Sequence, residues 1–149
     1  MSSYKKIVVG TDGSETSLLA VRRAGSIAAD SEAELLIVTA YEPASDEEVR
    51  FAGDVLKGDG YLAVGSAPAE STLREAASLA RSSGAPKVET LAVRGAPVTV
   101  LDRAAVESGA DLLVVGNVGL NTLAGRILGS VPRSVARHAD VDVLIVHTS

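Results

Sequence analysis

The chain has 149 residues, a formal net charge of −5 and no cysteine. This length suits one domain with a sizeable core, and the hydrophobic content of 46% argues against global disorder. The negative charge argues against general binding to nucleic acid or anionic membranes, and the lack of cysteine excludes disulfides, thiol nucleophiles and cysteine metal ligands.

The N-terminal sequence MSSYKKIVVGTDGS has an apolar run of only a few residues, which is too short for a signal peptide. No apolar run in the chain approaches the length of about 20 residues that a membrane-spanning helix needs. We therefore expect a soluble, cytoplasmic protein that does not associate with membranes.

Five short aliphatic runs predict β-strands. They are rich in β-branched residues, and several are continuously apolar, which is typical of strands buried on both faces of a parallel sheet. In chain order they are KIVV at 6–9, ELLIVTA at 34–40, VETLAV at 88–93, DLLVV at 111–115 and DVLIV at 142–146. The third run is more polar and partly alternates, so we place it near an edge of the sheet.

Apolar residues at spacings of three or four predict the helices, which span 14–29, 67–83, 96–108 and, more briefly, 131–138. Ser14 is a candidate N-cap of the first helix, whereas Gly84 and Gly109 suit the ends of the second and third. Strands and helices therefore alternate. This alternation predicts a doubly wound α/β fold, with a parallel sheet and helices on both faces.

Residues 42–66 interrupt the alternation of strands and helices. They are acidic, contain glycine and show weak periodicity. We expect a long excursion with one helical turn around Val49–Leu56. Such an excursion is either a functional lid or a disordered insertion, and the sequence leaves both open.

Two predicted strands end in a similar way: KKIVVGTDGS and DLLVVGNVGL both pass through Val-Val-Gly into a polar turn. If these first and fourth strands are neighbours, their carboxyl ends form the crevice in which doubly wound sheets bind ligands. Asp12 lies just beyond the first strand, where a carboxylate can accept hydrogen bonds from ribose hydroxyls or hold Mg²⁺ beside phosphates. An aspartate before Gly13 is equally typical of an ordinary turn.

The stretch GNVGLNTLAGRILGSV follows the fourth strand and has the spacing Gly-x2-Gly-x9-Gly-Ser, formed by Gly116, Gly119, Gly129 and Ser130. Glycines allow a ligand close to the backbone, and loop N–H groups form anion nests. The last glycine and serine open a helix whose N-terminus favours phosphate, and Arg126 adds a cation. Each glycine alone fits an ordinary turn, but the set indicates phosphate binding. The stretch matches neither a Walker A loop nor the GxGxxG fingerprint.

With these motifs the chain resembles the single-domain, nucleotide-binding members of the universal stress protein family. The resemblance rests on IVVGTDGSETS, LLIVTAYEP and GNVGLNTLAGRILGSVPRSVARHADVDVLIV and covers nearly the whole chain. The glycine spacing is the family's own ATP-binding pattern. The resemblance implies one nucleotide-binding domain over 1–149, a five-stranded parallel sheet in the order 3-2-1-4-5, and ATP across the carboxyl ends of strands 1 and 4.

The resemblance also implies which residues contact the nucleotide. Thr11 and Asp12 would contact the ribose or its phosphates, with Asp12 an indirect partner of Mg²⁺, and Ala40 would contact adenine through its backbone. Val115 and Gly116 would line the nucleotide. The contacts implied around the phosphates are Gly119, Gly129, Ser130 and Val131. Members of the family are usually dimers that act in stress, dormancy or energy-state responses, which implies a regulatory nucleotide sensor.

Four residues of the glycine-rich stretch depart from the family's pattern. Asn117 and Val118 stand where many relatives carry Ser, Arg or His, and Asn121-Thr122 replaces a commoner glycine-rich pair. Some relatives of this type bind cyclic AMP, so cyclic AMP is the alternative ligand to ATP. These departures are where a choice between a triphosphate and a cyclic phosphate would be made.

The sequence favours a binding protein over an enzyme. ATP hydrolysis usually needs a metal ion with clear ligands, and Asp12 is the only evident candidate. We expect at most weak ATP hydrolysis or autophosphorylation.

The last strand, VDVLIVHTS, would leave unpaired backbone groups if it lies at a sheet edge. Pairing with a second copy across a twofold axis would satisfy them, which predicts a homodimer. The alternative is an edge that a helix covers.

Overall fold

The computed structural model describes residues 4–41, 67–116 and 141–147. Its five strands form one parallel sheet in the order β3-β2-β1-β4-β5. The strands are β1 (Lys6–Gly10), β2 (Glu34–Tyr41), β3 (Lys87–Arg94), β4 (Leu112–Gly116) and β5 (Asp142–Val146). The order that the resemblance implied is confirmed, and β1 and β4 are hydrogen-bonded neighbours, as the predicted crevice requires.

Within the described ranges, three helices lie between the strands: α1 (Glu15–Ser31), α2 (Ala67–Ser82) and α3 (Pro97–Glu107). Ser14 caps α1, because its hydroxyl accepts a hydrogen bond from the backbone N–H of Ser17 at 3.1 Å. The helix ends at Ser31, two residues later than predicted, and the following Glu32 adopts a left-handed φ of 54°. The chain leaves α2 and α3 through Gly84 and Gly109, whose φ angles are 106° and 71°.

Two of the predicted segments lie outside the described residues, namely the excursion over 42–66 and the short helix over 131–138. Among the helices that the structure does describe, none is long and apolar enough to cross a bilayer.

The sheet is covered by helices on both faces, as predicted. Ile7 and Val9 of β1 pack with aliphatic side chains of α1 and α2, whereas Val8 between them packs with those of α3. All three side chains are fully buried, and each such burial contributes about 1.5–3 kcal/mol to stability. A strand that packs against a core on each face cannot alternate between apolar and polar residues, which explains the continuous apolar runs.

The two edge strands are more exposed than the centre. The third predicted run forms β3 at one edge, as expected, and Leu91 on it is 40% exposed. At the other edge, Ile145 of β5 is 48% exposed.

The amino ends of the strands are joined by side-chain bonds. The carboxylate of Asp111 accepts hydrogen bonds from the backbone N–H groups of Lys5 and Lys6, at 2.9 and 3.1 Å. The hydroxyl of Tyr4 donates to Asp142 Oδ2 at 3.0 Å, and this bond raises the pKa of the Tyr4 phenol. The segment leading into β1 is thereby tied to the starts of β4 and β5.

A lysine–glutamate cluster lies at the same amino-terminal end. Glu34 pairs with Lys87 at 3.1 Å and with Lys6 at 3.3 Å. The two lysines lower the pKa of Glu34, with the bond to Lys87 the larger cause. The same bond raises the pKa of Lys87. Because the side chains of Glu34 and Lys87 are 44% and 57% exposed, this pair adds little stability.

Candidate functional site

The loop between β1 and α1 forms a tight turn at the carboxyl end of the sheet. Gly13 adopts a φ of 85°, a left-handed conformation that favours glycine. Asp12 Oδ1 accepts a hydrogen bond from the backbone N–H of Ser14 at 2.9 Å, and Ser14 then caps α1. The N-terminus of α1, with its partial positive charge, therefore begins at the predicted crevice.

Asp12 is exposed at this end of the sheet. Its bond to Ser14 shows that the turn interpretation is correct, but this bond engages only one carboxylate oxygen. The exposed carboxylate remains suited to a ribose hydroxyl. Over the described ranges, no three or more His, Cys, Asp or Glu side chains group so that they could hold a metal ion, and the indirect contact of Asp12 with Mg²⁺ stays a prediction.

Thr11 lies beside Asp12 but is only 2% exposed. Its hydroxyl is 2.7 Å from the hydroxyl of Ser17 and accepts a bond from the backbone N–H of Gly13 at 3.1 Å. Its backbone N–H donates to the carbonyl of Val38 at 3.0 Å. The side chain of Thr11 is therefore directed into the protein, and the ligand contact implied for Thr11 stays a prediction.

The other described candidates lie at the ends of neighbouring strands. Val115 and Gly116 are buried at the end of β4, which runs beside β1 with Val9 opposite Val114. Ala40 lies one strand further along, on β2, and is half-buried. The structure thus brings Thr11, Asp12, Val115 and Gly116 to adjacent strand ends, with Ala40 across β1 from β4.

The remaining candidates all lie in the glycine-rich stretch after β4. They fall outside the described residues and stay predictions: Gly119, Arg126, Gly129, Ser130 and Val131.

The model of the universal stress protein family matches residues 3–147. This chain belongs to that family. The resemblance inferred from the motifs is therefore confirmed over nearly the whole length.

Several universal stress proteins resemble the chain closely. Rv1636 of Mycobacterium tuberculosis strain H37Rv is 53% identical over 149 residues, which is 100% of both chains. A solved universal stress protein in complex with cAMP is 51% identical with a TM-score of 0.72, and the match covers 99% of this chain and 100% of that one. The protein from Archaeoglobus fulgidus, solved in complex with dAMP, is 26% identical with a TM-score of 0.62, over 96% and 98% of the two chains.

Sequence reasoning missed three residues that shape the crevice of this universal stress protein. A methyl group on Gly10 would lie 2.8 Å from two carbons of Leu101, and one on Gly13 would lie 2.9 Å from the hydroxyl of Thr72. Ser17 bonds to Thr11 beneath the loop. Gly10 carries a weak signal, since it ends the repeated Val-Val-Gly, but Thr72 and Ser17 carry none because their roles depend on packing.

Proposed function

We propose that this universal stress protein binds an adenine nucleotide at the carboxyl ends of β1 and β4, with cyclic AMP as its ligand. The observation that carries the proposal is the 51% identity, over 99% of this chain and 100% of the other, to a universal stress protein solved in complex with cAMP. The adjacency of β1 and β4 supports the location, because ligands of doubly wound sheets bind outside such strand ends.

The charge of the described loop also favours a cyclic monophosphate over a triphosphate. Asp12 and Glu15 are both exposed at the start of α1, so a ligand there meets two carboxylates. ATP brings several more negative charges than cyclic AMP and would need cations to offset the repulsion. The single phosphate of cyclic AMP meets less of this repulsion.

In the proposed complex, Asp12 accepts a hydrogen bond from the single free ribose hydroxyl of cyclic AMP, and the backbone at Ala40 contacts adenine. Val115 and Gly116 form the wall at β4. The glycine-rich stretch supplies the phosphate contacts, from Gly119, Arg126, Gly129, Ser130 and Val131. The whole of 1–149 forms one nucleotide-binding domain in this proposal.

ATP is the second candidate ligand. The Gly-x2-Gly-x9-Gly-Ser spacing is the family's ATP-binding pattern and favours it, with Mg²⁺ held indirectly by Asp12. With either nucleotide we propose a regulatory sensor in the cytoplasm that acts in a stress response, with at most weak hydrolysis.

The first test is mass spectrometry of small molecules released by denaturing freshly purified protein, followed by calorimetric titration of the stripped protein with cyclic AMP and with ATP. We expect Asp12→Ala to weaken cyclic AMP binding by about tenfold or more, because it removes a charged acceptor worth about 1.5–3 kcal/mol. The matched control is Asp30→Ala, an exposed aspartate near the other end of α1. Equal binding by both variants would place the site elsewhere, and no binding by the parent would overturn the proposal.

We further propose a homodimer formed through β5. This strand is at a sheet edge and exposes Ile145, and edge pairing with a second copy would satisfy its backbone. Sedimentation analysis should find Ile145→Lys monomeric at concentrations where the parent is dimeric. Leu91→Lys, at the opposite edge on β3, is the matched control and should stay dimeric. A dimer that only Leu91→Lys disrupts would assign the interface to the other edge.

A further inference from the structure

A chain of hydroxyl groups lies beneath the β1–α1 loop. Thr11 Oγ1 is 2.7 Å from Ser17 Oγ, and Ser17 Oγ donates to the carbonyl of Ser14 at 3.0 Å. Thr11 and Ser17 are 2% and 3% exposed, so water does not compete for these bonds. This hydroxyl chain connects the end of β1 to the first turn of α1.

The direction of each hydrogen bond follows from the number of protons. A serine hydroxyl has one proton, and that of Ser17 goes to the carbonyl of Ser14. The bond between the two hydroxyls must then be donated by Thr11 and accepted by Ser17. The Thr11 hydroxyl thus donates its only proton to Ser17, while its oxygen accepts a hydrogen bond from the backbone N–H of Gly13. Every proton in the hydroxyl chain therefore has a fixed place.

The hydroxyl chain also holds the backbone on both sides of the Asp12 side chain. The N–H of Asp12 donates to Ser17 Oγ at 3.3 Å, and the N–H of Gly13 donates to Thr11 Oγ1 at 3.1 Å. The remaining N–H in the turn, that of Ser14, donates to the Asp12 carboxylate. Three successive N–H groups are thus fixed within the turn, and two of them depend on the buried hydroxyls.

We propose that Ser17 is a positioning residue for the nucleotide site: it orders the loop that presents Asp12, and the Thr11 hydroxyl serves this chain instead of contacting the ligand. The inference rests on the proposed function, since the loop is positioned for the adenine nucleotide. It assigns the Thr11 hydroxyl to the loop and leaves the role that the resemblance implied for Asp12 unchanged.

The test compares Ser17→Ala and Thr11→Val with the control Ser31→Ala, which removes a buried hydroxyl from the far end of α1. The first readout is amide hydrogen exchange in the nucleotide-free protein, measured by NMR. Ser17→Ala removes the acceptor of the Asp12 N–H, and Thr11→Val removes that of the Gly13 N–H. We expect each variant to accelerate exchange most at its own amide, and Ser31→Ala to accelerate neither.

The second readout is the affinity for cyclic AMP by calorimetric titration. We expect Ser17→Ala and Thr11→Val each to weaken binding by about five- to tenfold, as for one ordinary hydrogen bond. Both substitutions act through one chain of bonds. The affinity of the double variant should therefore be close to that of either single variant, and not reduced by the product of the two separate losses. Ser31→Ala should bind as the parent does, whatever its effect on unfolding.

The outcomes separate this inference from the proposed function. If the parent binds cyclic AMP and Ser17→Ala binds it equally well, or if exchange at Asp12 and Gly13 is unchanged, the positioning role is overturned while the site stands. If the parent binds no adenine nucleotide, the proposed function fails and the role fails with it. Thr11→Val supplies the same two readouts if Ser17→Ala does not fold.

Discussion

Replacing Gly10 with alanine forces a methyl group into space that Leu101 occupies. The added carbon would lie 2.8 Å from both Cδ atoms of Leu101 and 3.3 Å from its Cγ. Leu101 is 2% exposed and packs within the α3-facing core, so its side chain must shift within that core to relieve both contacts. We expect Gly10→Ala to lower the free energy of unfolding by about 1–3 kcal/mol, the usual cost of an extra carbon in a packed core.

A double-mutant cycle tests whether that cost comes from this contact. Leu101→Ala alone should cost about 2–5 kcal/mol, because it leaves a cavity. In the double variant the new methyl group at position 10 enters that cavity, so the combined loss should fall short of the sum by about 1–2 kcal/mol. The assay is urea denaturation of the parent and three variants, followed by circular dichroism. Losses that add to within about 0.5 kcal/mol would refute the contact as the cause.

Three further predictions concern the amino-terminal end of the sheet. Asp111→Ala should lower the free energy of unfolding by about 1.5–3 kcal/mol, as measured by urea denaturation. The loss should lie near the lower value, because one of the two hydrogen bonds from backbone N–H groups to Asp111 is exposed. Glu34→Gln should return the pKa of Lys87 toward its ordinary value, as NMR titration of the lysine side chain would show. Because the pKa of Glu34 is lowered in the folded protein, its stabilising effect is complete above the ordinary carboxyl pKa and is lost as the pH falls through the lowered one; acid unfolding of Glu34→Gln should lack this component. Asp142→Ala should lower the pKa of Tyr4; because that pKa is raised, the stabilisation is complete below the ordinary phenol pKa and disappears between the ordinary and raised values. An unchanged Tyr4 titration by NMR would contradict the bond.

The sheet could be predicted closely because its signal is strong and local. Each predicted strand agrees with the structure to within one residue at either end. Neighbouring residues such as Ile7 and Val8 pack into opposite cores, so both are apolar and the strand is visible as a continuous run. The predicted end of α1 was less accurate. The helix stops with Glu32 in a left-handed conformation, a role that glycine or asparagine would have signalled.

The candidate site was predictable only where a local sequence motif marks its residues. The positions of Asp12 and Gly116 at neighbouring strand ends could be predicted from the repeated Val-Val-Gly motif. The direction of the Thr11 side chain does not, because a hydroxyl next to a motif can face a ligand or the interior with equal ease. Thr72 lies against Gly13 because α2 packs there. The two residues are far apart in the sequence, so no local pattern indicates this contact.

The central claim is that an adenine nucleotide binds where β1 and β4 end, and an NMR titration of the labelled protein with cyclic AMP tests it most directly. The account predicts saturable shifts concentrated at the backbone amides of Thr11–Ser14 and Val115–Gly116, with the amides of Asp111 and Asp142 at the opposite end of the sheet unchanged. Shifts centred on the amino-terminal end, or none at saturating ligand, would contradict it.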